Sequence, residues 1–207
     1  MGTAKRFWNW MAARYARQPI ADEASYQRKL DLTAGFLTPE ARILEFGCGT
    51  GSTAVVHAPK VASYLGVDIA ENMVEIARGK AAEAGLDNLS FQVGTLEKAG
   101  LPDASFEVVL GLNILHLVPD LDRTLANVAR VLVRGGIFVS STICVDDVEG
   151  SLRTLGRATR FLPLFPTVQP LSVAGFESAI AAHGFTIEDG FDQARGVVFR
   201  IARKTER

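Results

Sequence analysis

Apolar positions along the chain fall into short runs, separated by stretches in which they recur every three or four residues. The runs predict strands at Arg42–Phe46, Tyr64–Ile69, Leu89–Val93, Phe106–Leu112, Ile137–Thr142, Phe185–Phe191 and Val197–Ala202. Helical spacing predicts helices at Gly51–His57, Glu71–Glu83, Leu121–Leu132 and Val173–His183. Ser172 is a candidate N-cap for the last of these, and Gly184 follows its end. Upstream, RFWNWMAARYARQP predicts an amphipathic helix, with a second from about Asp22 to Leu37. The alternation predicts an α/β fold: a doubly wound, seven-stranded, mostly parallel sheet with helices on both faces. The short turn Asp192–Arg195 makes a hairpin of the closing strands, so the final strand is expected to run antiparallel. Residues 1–40 are expected to form a helical lid on a domain spanning 41–207.

In such a sheet ligands bind beyond the carboxyl ends of the strands, near the switch in strand order. The first strand leads into ILEFGCGTGSTA, with Gly47, Gly49 and Gly51 in the turn around Cys48. Glycines there permit positive φ and let a ligand lie against bare backbone. Glu45 just before them would repel a pyrophosphate, and Ser52 replaces the third glycine of the dinucleotide fingerprint. The second strand ends in GVDIAENM; Asp68 at its tip can accept hydrogen bonds from both hydroxyls of a ribose, or simply cap the next helix. Ile69 and Met73 offer apolar surface to a base, or belong to the core.

Composition narrows the class. The chain has 207 residues, 48% hydrophobic, with a formal net charge of −1, which suits one globular domain and gives no general attraction to nucleic acid or membrane. Two cysteines, Cys48 and Cys144, lack redox or ligand spacing, so no metal site or disulfide framework is expected and the setting is taken as cytoplasmic. No apolar run approaches the length of a membrane span and no secretory signal is evident. The Trp- and Arg-bearing first helix leaves peripheral membrane contact open, although docking on its own domain is the preferred reading.

Four blocks in order, ILEFGCGTG, GVDIAENMVEIAR, LPDASFEVVLGLNILHLVPD and VLVRGGIFVSST, resemble the class I S-adenosylmethionine-dependent methyltransferases, more narrowly the UbiE/type 11 group, from about Arg42 to Thr142. The resemblance implies S-adenosylmethionine as cofactor and S-adenosylhomocysteine as product. The cofactor has no phosphate and carries cationic groups, which makes Glu45 welcome. Gly47 and Gly49 would then meet its methionine part, Asp68 its ribose, and Tyr26 of the second helix its carboxylate, unless Tyr26 is a packing residue. The family commonly has Gly-Asp-Ala after the third strand, the Asp bonding adenine; here Gly94, Thr95 and Leu96 stand there, leaving the Thr95 hydroxyl and the Leu96 N–H for the base.

The fourth strand ends in LNILH, where Asn113 is expected to line the cofactor pocket near the methyl group and His116 to act as base or to orient a substrate hydroxyl, unless it is merely packed. His57 and His183 lie near helix C-termini, where an imidazolium is favourable. Residues 145–171 are expected to cap the substrate side, with Phe161 and Phe165 as apolar wall and Arg157 holding an anionic substituent. The acceptor is expected to be a small, partly apolar molecule: quinone-like, lipid-like or another metabolite. A nicotinamide-dependent oxidoreductase and a non-catalytic cofactor-binding sensor or scaffold are the other classes. Oligomeric state and acceptor atom are open.

Overall fold

The computed structural model describes residues 2–148 and 166–205. Its strands are β1 (Arg42–Phe46), β2 (Ser63–Asp68), β3 (Leu89–Val93), β4 (Phe106–Leu112), β5 (Leu132–Ile143), β6 (Phe185–Asp192) and β7 (Val197–Lys204). They form one sheet in the order β3-β2-β1-β4-β5-β7-β6. The first five run parallel, and β7 lies antiparallel between β5 and β6. The order switches at β1, which opens a crevice beyond the carboxyl ends of β1 and β4.

Successive strand side chains point to opposite faces. Leu44, Phe46, Val109 and Phe138 pack on the side that carries α5 (Leu121–Val131) and α6 (Val173–Ala182). Ile43, Val108, Leu110 and Val139 pack on the other, with α3 (Ser52–His57) and α4 (Glu71–Glu83). Helix α5 forms because Thr124, Leu125, Val128 and Val131 fall on one face, and the Asp120 side chain accepts a hydrogen bond from Arg123 N–H at its start. In α6 Ser172 does the same for Gly175 N–H, and Gly184 follows at φ +80°, as its sequence signals predicted.

Two expectations need correction. Strand β5 begins at Leu132, not Ile137: Phe106 pairs with Leu132, the register then shifts, and Val108 pairs with Ile137. Gly135, at φ +69°, absorbs the irregularity that makes VRGG look like a turn. His57 is not a surface cation at a helix end. It is buried, neither ring nitrogen has a partner among the described residues, and burial pushes its pKa down to about 4 with Lys60 adding to the effect.

The first helix, α1 (Gly2–Ala16), docks on α4. Ala12 is buried with Ala70 and Met73, and Trp8 and Ile76 close around them. Asn9 ties the two together: its side-chain amide donates to Glu71 Oε2 (2.9 Å) and accepts from Asn72 N–H (2.9 Å), and its main-chain carbonyl accepts from Asn72 Nδ2 (3.0 Å). Lys5 pairs with Glu71 beside it. The apolar side of α1 is thus used within the chain, while Trp10 stays 75% exposed. No helix among the described residues is long and apolar enough to cross a membrane. Helix α2 (Glu23–Ala34), capped by Asp22 on Ser25 N–H (3.0 Å), ends three residues before the expected Leu37. Arg157, Phe161 and Phe165, and with them most of the expected cap, lie outside the described residues.

Asn9→Ala removes the two bonds made by the Asn9 side chain and leaves Asn72 Nδ2 on its main-chain carbonyl and Lys5 on Glu71. We expect looser docking of α1, since two exposed hydrogen bonds and the pairing at the start of α4 are lost. Faster tryptic cleavage after Arg14 and Arg17 is the measurement that checks it.

Candidate functional site

The glycine turn after β1 is shaped by what packs where side chains are missing. A Cβ at Gly47 (φ +66°) would sit 2.6 Å from the Ile114 side chain, and one at Gly51 (φ +72°) 2.8 Å from Phe91 and 2.9 Å from Ala77. Those two glycines therefore let the turn nestle against the loop after β4 and against β3 and α4. Gly49 (φ +53°) differs: only the Tyr15 ring, at 4.0 Å, comes near. It is the glycine of the turn whose bare face is free for a ligand. Cys48 is buried between them.

Asp68 holds this turn. Its carboxylate accepts from Gly49 N–H (2.9 Å) and from Ala70 N–H (2.9 Å) at the start of α4. The capping reading is thus met, and the carboxylate has further lone pairs to offer a ligand. Burial raises its pKa against those backbone hydrogen bonds. Glu45 lies on the α3–α4 side of β1, buried, and accepts from Tyr64 Oη at 2.8 Å. It has no Lys or Arg partner among the described residues. Burial pushes its pKa up to about 7, opposed by the Tyr64 bond and reinforced by the Asp68 charge.

The three tyrosines of the chain converge here. Tyr15 of α1 is 44% exposed, but burial of its hydroxyl and the nearby Glu45 and Asp68 carboxylates raise its pKa, with Tyr26 contributing. Tyr26 also acts on Tyr64. The sequence pointed to Tyr26 alone. Tyr64 could have been found from strand pairing: it faces Ile43, one side-chain repeat from Glu45 on the same face. Tyr15 carried no such signal.

Beyond β3, Thr95 Oγ1 is buried and is the one buried side-chain oxygen without a partner among the described residues. Leu96 is buried and Ile69 half-buried, while Met73 is covered by α1. At the end of β4, Asn113 takes a left-handed backbone (φ +56°) that Asn tolerates better than most residues. Its N–H donates to Ser141 O (2.7 Å), and its Oδ1 accepts from Ser141 Oγ (3.2 Å). Ser141 Oγ in turn accepts from Lys29 Nζ (2.8 Å), a residue of α2 to which sequence reasoning gave no role. His116 is buried; its Nδ1 lies 3.3 Å from Thr142 Oγ1 and accepts from Ile143 N–H (3.5 Å). Burial lowers its pKa to about 4, so the ring is neutral.

These features fit a nucleoside carrying an amino acid. Thr95 Oγ1 has no partner among the described residues, Asp68 keeps acceptor capacity, Gly49 leaves the backbone bare, and Glu45 is a buried carboxylate. Residues 37–163 match a family model described as a methyltransferase domain. Over 100 residues the chain is 39% identical to an uncharacterized methyltransferase, YcgJ, of Bacillus subtilis, covering 48% of this chain and 40% of that protein. It is 41% identical over 98 residues to the aklanonic acid methyltransferase DauC of a Streptomyces species, covering 46% and 44%. The crystal structure of YcgJ superposes with a TM-score of 0.71 at 21% identity, over 87% of this chain and all of that one. The matched stretch spans under half the length of either curated relative.

Proposed function

Since the chain belongs to the class I S-adenosylmethionine-dependent methyltransferases, we propose that it catalyses methyl transfer to a small, partly apolar acceptor. The observation that carries this reading is the set of complementary groups around the β1 turn: open Gly49, Asp68 at the tip of β2, buried Glu45, and Thr95 Oγ1 without a partner among the described residues. When bound, S-adenosylmethionine supplies a methyl group on positively charged sulfur, a strong electrophile.

The chain's own residues bind, align and exclude water. Asp68 holds the ribose hydroxyls, Thr95 Oγ1 and the Leu96 N–H meet the base, and Ile69 lies against it. Glu45, with Tyr64, takes the ammonium of the methionine part. Tyr15 and Tyr26 close over the turn, so residues 1–40 act as a lid. Asn113, fixed by Ser141, positions the acceptor side. His116 is neutral and turned to the Thr142 side of β5, which suits holding the β4 loop rather than accepting a proton. Alignment and desolvation then supply the acceleration, for which effective molarities of about 10⁵ M or more are attainable. The relative DauC is named for aklanonic acid, a small-molecule acceptor, and the same class is proposed here.

Calorimetric titration with S-adenosylhomocysteine and with NADH tests the reading. Micromolar binding of the first and none of the second is expected; preference for NADH would restore the oxidoreductase alternative. Trp8, which packs edge-on against Tyr15 at 6.1 Å, gives a second readout, because ligand under the lid should quench its fluorescence.

A further inference from the structure

Lys29 of α2 is a half-buried cation. Helix α2 crosses the β7–β6 half of the sheet, where Arg28 stacks over the Phe191 ring at 4.1 Å and Lys29 lies 6.0 Å from the Phe199 ring centre. The Lys29 side chain turns inward, half-buried, and donates to Ser141 Oγ (2.8 Å), which donates to Asn113 Oδ1 (3.2 Å). Its ammonium therefore stands at the carboxyl ends of β4 and β5. That is the far side of β1 from Asp68, where the ribose is assigned. Among the described residues no carboxylate lies within ion-pairing distance of Nζ. The acid that acts on it, Asp22, is exposed and caps α2. Burial lowers the Lys29 pKa, the direction expected of a cation held without a counter-charge. An ammonium has three N–H donors, and Ser141 uses one.

We propose that Lys29 is an acceptor-binding residue, and that the methyl acceptor is an acidic molecule whose ionised oxygen, a carboxylate or phenolate, pairs with its ammonium. The inference rests on the methyl-transfer reading above. A lone pair of that oxyanion forms the new O–CH3 bond as the S–CH3 bond breaks with its pair left on sulfur. One negative and one positive charge disappear together, and no proton has to be removed. His116, buried and turned to Thr142 of β5, is then not needed as a base. Ser141 and Asn113 fix the ammonium so that pairing requires little further ordering. Product ether or ester is neutral, loses the pairing, and leaves.

The test uses the full chain saturated with S-adenosylhomocysteine, titrated with hexanoate and benzoate and with their amides. We expect the wild type to bind at least one acid roughly tenfold more tightly than its amide, as a charge-assisted pair requires. Lys29→Met should abolish that preference, Lys29→Arg should retain most of it, and both should bind S-adenosylhomocysteine within about threefold of wild type. Acids that bind no better than amides overturn the proposal. So does Lys29→Met if it weakens S-adenosylhomocysteine about tenfold yet leaves 5′-methylthioadenosine, which lacks the carboxylate, unaffected; Lys29 then serves the cofactor. Failure of the wild type to bind S-adenosylhomocysteine at all would strike the methyl-transfer reading itself, and is seen before any acid is added.

Discussion

Asp68→Ala should lower affinity for S-adenosylhomocysteine by roughly 100- to 10,000-fold. The ribose hydroxyls lose a charged acceptor for two hydrogen bonds, about 1.5–3 kcal/mol each. The effect is compounded because Asp68 also accepts from Gly49 and Ala70 N–H, so the turn that presents Gly49 loosens with it. For the same reason the ligand-free protein should lose about 1–3 kcal/mol of stability. Asp68→Asn, which keeps one carbonyl acceptor, should fall between. Calorimetric titration and thermal melting of the three proteins decide the matter, and near-wild-type affinity in Asp68→Ala would sink the ribose assignment. Gly49→Val should match the affinity loss by filling the bare face of the turn.

Glu45 should make both stability and binding depend on pH. Its pKa is about 7 in the folded chain against an ordinary value of 4.5. Below 4.5 the group is protonated folded or unfolded and contributes nothing. As pH rises from 4.5 to 7 the unfolded chain loses the proton first, so stability falls, by about 3 kcal/mol in full above 7. Glu45→Gln removes this penalty; the variant should be more stable than wild type at pH 8, by about 1–3 kcal/mol, and little different near pH 4. An ammonium brought beside Glu45 favours the carboxylate, so binding S-adenosylhomocysteine at pH 6 should release close to one proton. Binding heats in buffers of different ionisation enthalpy measure that release. The Gln variant should show none and should bind roughly tenfold more weakly or worse. A wild-type heat independent of buffer would show that Glu45 does not meet the cofactor's charge.

How legible the molecule was depends on the range over which each signal acts. Strand and helix periods, the Ser172–Gly184 bracket and the antiparallel closing strand are local, and within the sheet domain most were read within a residue or two, whereas the ends of α1 and α2 were missed by three or more. The start of β5 was missed because Gly135 and Gly136 break the pattern while the ladder continues through a register shift. The glycines of the turn were identified, but not their division of labour: Ile114 lies 67 positions along the chain from Gly47, and nothing near Gly47 announces it. The same holds for Asn9 on α4, Tyr15 on the turn and Lys29 on Ser141. Single polar residues on separate elements have no period, and only the fold brings them together. Met73 illustrates the reverse case: its helical position left base contact and core equally open, and α1, which covers it, decides for core.

Strand β7 carries a consequence for how the chain is made. It follows β6 in synthesis yet lies inside it, pairing with β5 from Ile137 to Ile143 on one side and with β6 on the other. Until the ribosome has passed Lys204, the β5 edge, flanked by the buried Phe138 and Val139, has no neighbour to occupy its backbone donors and acceptors. A bare apolar edge is a template for strands of other chains. The nascent protein therefore spends its most association-prone interval with the cofactor half of the sheet already synthesised, and a premature stop between Asp192 and Val197 would leave that interval without an end.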